Sequence, residues 1–301
     1  MGISNFEMFC AAVSARNPLQ KKFTTNALLN MAGNFRQDAE AYIAYCLSLG
    51  ESIDGLVDAY LRYIEAINIE QLYFARKKTY RYSKLSEVEE IVYNNPDFMR
   101  VYLRGLALSL FLWPQHQEVR AFFHKKLPGS KKKNQYLEIG PGHGMFFLYA
   151  LQQGGFDKYF GVDISPTSIA ATRQLLSSGF FGQLDGYELV CGDFLQHEFG
   201  QVFSAIVIGE VLEHVEKPDL FIAKIAKIIE VGGFIFLSTC LNSAAITHIY
   251  NFENFEQIES LFAASGLGIQ EKLSIPYMGK DIEYCLQRRY PMNVAYVLTK
   301  P

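Results

Sequence analysis

The sequence predicts an α/β protein: a doubly wound, mostly parallel seven-stranded sheet preceded by an all-helical segment. Three observations carry that reading. From Asn134 onward, short apolar runs alternate with helix-period segments, the pattern of right-handed βαβ units. The last two apolar runs, 269–275 and 294–299, have only a tyrosine- and arginine-rich loop between them, which predicts an antiparallel closing hairpin at one edge. Before residue 130, apolar residues recur at helical spacing and no strand-like alternation stands out.

In the helical part, Gly50 ends a helix over about 38–49, and Ser52 is placed to cap the next. Ile53, Leu56, Val57, Tyr60, Leu61 and Ile64 then form one apolar stripe. Pro96 opens a further helix over 97–112, and Pro114 closes it. The run Lys125-Lys126-Leu127-Pro128-Gly129-Ser130-Lys131-Lys132-Lys133 reads as a solvated linker. It divides a helical lid or substrate domain, 1–130, from a sheet domain, 131–301. Strands are expected at 135–140, 158–164, 187–191, 203–208 and 233–239, with helices at 166–178 and 219–229.

Half of the 301 residues are hydrophobic and 14% are aromatic, so a packed core is expected and disorder is not. Residues 1–133 hold 18 Lys/Arg against 13 Asp/Glu, a balance of +5; the rest hold 10 against 18, or −8. An acidic sheet domain is a poor surface for nucleic-acid phosphates. The five scattered cysteines form no Cys-x-x-Cys pair, which argues against a disulfide framework or a zinc-thiolate motif and for a reducing compartment. The longest apolar stretch, 98–113, is broken by Arg100 and Arg104 and is too short to span a bilayer. With no secretory pattern at Met-Gly-Ile-Ser-Asn-Phe, a soluble cytoplasmic protein is expected.

In a doubly wound sheet, ligands bind beyond the carboxyl ends of the strands. The first strand ends in Glu138-Ile-Gly140-Pro-Gly142-His-Gly144, where missing side chains let a ligand approach the backbone. The spacing is Gly-x-Gly-x-Gly, not the Gly-x-Gly-x-x-Gly of dinucleotide binders. The second strand ends at Asp163-Ile164, and an ionised acid there can accept both hydroxyls of a ribose. The third ends at Asp193-Phe194, an acceptor for an exocyclic amine beside a ring that could cover a purine. The fourth brings Glu210, Glu213 and His214 to the rim.

This ordered set resembles the class I S-adenosylmethionine-dependent methyltransferases over about residues 134–301. The resemblance implies their Rossmann-like fold, with Gly140, Gly142 and Gly144 under the methionine part of the cofactor. It implies that Asp163 holds the ribose, that Asp193 and Phe194 frame the adenine, and that Glu138, Ile164 and Glu210 also border the cofactor. The helical half resembles the lids of natural-product methyltransferases.

Methyl transfer to a hydroxyl also needs a group to take the proton or lower its pKa. Glu210, Glu213 and His214, with His248 after the fifth strand, suit a divalent ion, or either histidine could serve as base. The Glu-x-x-Glu-His pattern is similar to that of ubiquinone-type and small-RNA O-methyltransferases. The chain lacks the His-rich stretch of the RNA enzymes, so a small-molecule acceptor is expected. Tyr73, Phe74, Tyr80 and Tyr82, set among Arg76, Lys77, Lys78 and Arg81, read either as a lid over a planar substrate or as core aromatics between solvated cations. The helical half is also the expected surface for a homodimer. Two other readings remain open at this point: an NAD-dependent oxidoreductase and a non-catalytic cofactor-binding subunit.

Overall fold

The computed structural model describes residues 2–128 and 135–301. The expected domain boundary and most of the lysine-rich linker fall at 129–134, outside the described residues.

Seven helices come first: α1 (Asn5–Arg16), α2 (Lys21–Asn30), α3 (Gly33–Ser48), α4 (Ile53–Lys77), α5 (Leu85–Val88), α6 (Pro96–Leu112) and α7 (Pro114–Lys126). A π-helical turn, Glu89–Tyr93, follows α5. Local chemistry sets the ends. Ser52 accepts from the Gly55 N–H at 3.1 Å to open α4, and Asn95 caps α6 ahead of Pro96. The long α4 and α6 pack closely because Gly105 has no side chain; a Cβ there would lie 2.4 Å from Cβ of Tyr63.

The α/β part runs β1 (Gln135–Ile139), α8 (Met145–Gln153), β2 (Lys158–Asp163), α9 (Pro166–Leu176), β3 (Tyr187–Cys191), β4 (Phe203–Gly209), α10 (Pro218–Ile228), β5 (Ile229–Leu241), α11 (Phe255–Ala264), β6 (Gly268–Ile275), α12 (Ile282–Arg288) and β7 (Met292–Thr299). The sheet order is β3-β2-β1-β4-β5-β7-β6. β1 to β5 pair in parallel, and β7 pairs antiparallel with both β5 and β6. The order reverses between β1 and β4, which opens the crevice where ligands enter such sheets. Three elements differ from expectation. α3 starts at Gly33, five residues before the expected 38; β5 begins at Ile229 directly from α10; and the loop before β7 contains α12, capped by Asp281 on the Tyr284 N–H at 3.0 Å.

One hydrophobic core joins the two halves. Phe6, Tyr60 and Phe111 of the helical part belong to the same cluster as Tyr136, Phe147, Val207 and Phe236 of the sheet part. α7 is the bridge: Phe123 meets Phe146 at 4.9 Å and Phe236 at 5.1 Å, both edge to face. A second core, with Ile206, Ile222 and Ile235, fills the opposite face under α10 and α11. Burying one such phenylalanine contributes about 1.5–3 kcal/mol, so α7 is fixed firmly to the sheet.

Candidate active site

The glycine turn after β1 is left-handed at alternate residues: Gly140, Gly142 and Gly144 have φ of 71°, 55° and 81°. A Cβ on Gly140 would lie 2.5 Å from Val211, and one on Gly144 would lie 3.1 Å from Thr172. At Gly142 the nearest atom would be 3.8 Å away, so the turn is open at its centre. Asp163 closes the turn from β2. Its two oxygens accept from the N–H groups of Gly142 (3.1 Å) and Ser165 (2.8 Å), leaving further lone pairs for a ligand. Burial raises its carboxyl to about 6. The cradle and the free acceptor positions fit a nucleoside with a ribose diol.

Glu138 and Phe194, expected beside the cofactor, are both buried. Glu138 is 2% exposed beneath the turn, where Tyr136 donates to it at 2.5 Å, and burial raises its carboxyl to about 8. It supports the turn from below. Phe194 is buried against Phe221, with ring centres 4.7 Å apart, so its ring is taken up by the core. Asp193 stays at the end of β3, where it accepts from the Leu195 N–H at 2.8 Å. Ile164 lies next to it, its carbonyl 3.8 Å from the Cys191 thiol.

Past β4 the backbone is strained. Glu210 has φ of 53° without being glycine, a conformation that costs about 1–3 kcal/mol and concentrates at functional sites. Its N–H donates to the Ser238 carbonyl at 3.0 Å, which holds the bend. Glu213 is fully buried; its Oε2 accepts from Thr239 at 2.7 Å, and its Oε1 lies 4.0 Å from Nε2 of His214. Oε1 of Glu210 and Oε1 of Glu213 are both buried with no donor. Burial raises both carboxyls, and the Glu213 charge raises Glu210 further.

The imidazoles are oriented by carbonyls. Nδ1–H of His214 donates to Thr247 at 2.8 Å, and that of His248 to Ser243 at 2.7 Å. Each bond fixes the tautomer and turns the Nε2 lone pair free. Burial lowers the two groups to about 4 and about 3, so both are neutral at pH 7. The rings meet edge to face at 4.8 Å. Among the described residues, Glu213, Cys240 and His248 offer ligand atoms within 4.8 Å of one another. Unpartnered buried oxygens beside free imidazole nitrogens fit a divalent cation.

The helical half covers this centre. The Tyr93 hydroxyl, on the π-helical turn, lies 3.4 Å from Nδ1 of His214, and the Tyr102 hydroxyl lies 3.3 Å from Thr247 Oγ1. Tyr80 donates to the Ser243 carbonyl at 2.7 Å and stands edge-on to His248. Leu103 of α6 approaches the open face of Gly142. Of the tyrosine–cation cluster, Phe74 and Tyr80 are buried while Arg76, Lys77 and Lys78 are exposed. Tyr93, Tyr102 and Cys240 had no local signal in the sequence; only the fold brings them to Glu213.

The glycine turn and strand-end acids on this sheet agree with the class that the family comparison gives, an S-adenosylmethionine-dependent methyltransferase. Residues 114–284 match the methyltransferase-domain family, and the chain belongs to it. It is 28% identical to the ubiquinone biosynthesis O-methyltransferase of Rhizobium etli strain CFN 42 over 185 residues, covering 55% of this chain and 72% of that protein. The mitochondrial ubiquinone biosynthesis O-methyltransferase of Dictyostelium discoideum is 31% identical over 120 residues, covering 38% and 37%. The solved structure of the cyclase SpnF superposes on 62% of this chain and 81% of its own, with a TM-score of 0.50 at 13% identity, which shows the fold alone. Family membership sets aside the oxidoreductase reading. No helix among the described residues is long and apolar enough to cross a membrane.

Proposed function

We propose that this enzyme methylates a hydroxyl oxygen of a small molecule. The observation that carries the reading is the chemistry of the rim. Glu210, Glu213, His214 and His248 present acceptors, with two carboxylate oxygens unpartnered and two imidazoles neutral. Such a surface suits a substrate that brings a proton to give up, as a hydroxyl does. The relatives named as O-methyltransferases support the same choice.

In this reading Gly140, Gly142 and Gly144 carry the methionine part of the cofactor and Asp163 accepts from its ribose. Bound S-adenosylmethionine would supply a methyl on a sulfonium; transfer to the acceptor oxygen would break the S–CH3 bond, release S-adenosylhomocysteine and lose the hydroxyl proton to the acceptors of the rim. Glu213 and His248 orient the acceptor, together with His214. The low basicity of the buried imidazoles makes either histidine a weak base by itself, which favours an ion in the same cluster. A divalent ion held by Glu213, His214 and His248, with Glu210 beside them, would lower the hydroxyl pKa. The helical half acts as a lid, with Tyr93 and Tyr102 excluding water above the centre.

The test is mass spectrometry of phenol and catechol acceptors incubated with the enzyme and S-adenosylmethionine. An oxygen-methylated product supports the proposal. Methylation only of amines in a matched panel would overturn it, and cofactor binding with no turnover on any acceptor would favour a non-catalytic subunit.

A further inference from the structure

We propose that Cys240 is a metal ligand, so that Glu213, Cys240 and His248, with His214 beside them, form a mixed oxygen, sulfur and nitrogen centre of zinc type. The inference rests on the reading of the rim as a cation site and names which ion it selects. The acid set expected from the sequence contained Glu210; the geometry substitutes a thiol. Glu210 leans toward Asn293, whose side-chain N–H lies 3.4 Å from its Oε2. Cys240 sits inside the tight cluster, where Glu213, Cys240 and His248 offer ligand atoms within 4.8 Å of one another.

Three features make this a built site. Cys240 is 2% exposed and Glu213 fully buried, so neither ligand is a surface group of convenience. Oε1 of Glu213 is buried with no donor and lies 4.0 Å from Nε2 of His214. The carboxylate and the imidazoles are also held from behind. Thr239 donates to the other oxygen of Glu213, and Thr247 and Ser243 take the Nδ1–H of the two histidines. Such supporting bonds orient ligands in metal sites.

The donor types decide the ion. Magnesium takes near-octahedral oxygen ligands and keeps several waters. Thiolate, imidazole and carboxylate together suit zinc; Glu213, Cys240 and His248 fill three of four positions and leave the fourth for a substrate atom, with His214 lining the site outside the ligand set. On binding, the ion forms a bond to sulfur and the thiol proton leaves to solvent, so uptake releases protons.

Cobalt(II) tests this directly in the full-length protein after chelator treatment and without cofactor. The expected result is one cobalt per chain, with a sulfur-to-cobalt charge-transfer band. Cys240→Ser should lose the band and weaken zinc binding about 10–100-fold, read by competition with a chelating dye. Cys191→Ser, at the exposed thiol, should keep it. Should Cys240→Ser fold poorly, the wild-type spectrum still decides, since a bound cobalt without a sulfur band overturns the proposal. Absence of any bound cobalt overturns it together with the cation reading. Calorimetry with S-adenosylhomocysteine tests the methyltransferase site separately and is expected to succeed in either case.

Discussion

At the glycine turn, the polar groups facing the crevice are already partnered by backbone: Asp163 takes the N–H groups of Gly142 and Ser165. At the rim beyond β4 and β5 the opposite holds. Glu210 and Glu213 each keep a buried oxygen with no donor, and Glu210 holds a strained backbone as well. The first region is shaped before its ligand arrives, with little left to reorganise. The second keeps buried carboxyls that a cation, a donor or a shared proton would relieve. In the proposed reading binding and chemistry are separable, one invested in backbone and the other in side chains.

That contrast can be broken most sharply at Glu213. Glu213→Ala is expected to lower turnover by about 100-fold or more, while affinity for S-adenosylhomocysteine changes little. Initial rates beside calorimetry measure both, and equal losses in the two would erase the division. Asp163→Ala should show the reverse: cofactor affinity falls about 10–100-fold through loss of charge-assisted bonds to the ribose. At saturating cofactor its turnover should recover.

Glu138 sharpens the comparison through pH. Its folded carboxyl is raised from 4.5 to about 8, so the folded protein holds an extra proton across that window. Its contribution to stability is full below 4.5 and is lost as pH rises through about 8, at about 1.4 kcal/mol per pH unit. Glu138→Gln should lessen that slope by one proton in denaturant titrations, leaving the part that Asp163, Glu210 and Glu213 contribute. An undiminished wild-type slope would assign the proton elsewhere. The smallest effect is expected at Tyr93→Phe. Losing one long contact to His214 should lower kcat/KM by about threefold and leave cofactor affinity intact, since only the rim is touched.

The turn and strand ends at the expected cofactor side were legible in the sequence because each piece is local. Gly140, Gly142 and Gly144 announce a left-handed turn by residue type alone, and Asp163 and Asp193 end recognisable strands. The rim was legible only in part. Glu210, Glu213 and His214 share one motif, but Cys240, Thr239, Tyr93 and Tyr102 arrive from separate elements. A buried cysteine in a strand looks like any small hydrophobe. Element ends failed where caps were weak: Ala32 before α3 makes no side-chain cap bond, and α10 runs into β5 without a turn. α12 was missed because seven residues carry too little periodicity to separate a helix from a loop.

The way the helical half is attached sets how the crevice must open. Its deep residues are fused with the sheet through Phe123, yet the part above the site rests on two small patches. One holds Val88, Val92, Met99, Leu103 and Ile249; the other holds Phe74, Tyr80 and Ala244. These patches are small beside the main core, so hydrogen exchange is expected to be fastest there if ligand enters by a local opening. Cutting the chain ahead of β1 would then not yield a smaller working enzyme, because the sheet would lose its α7 cover along with its door.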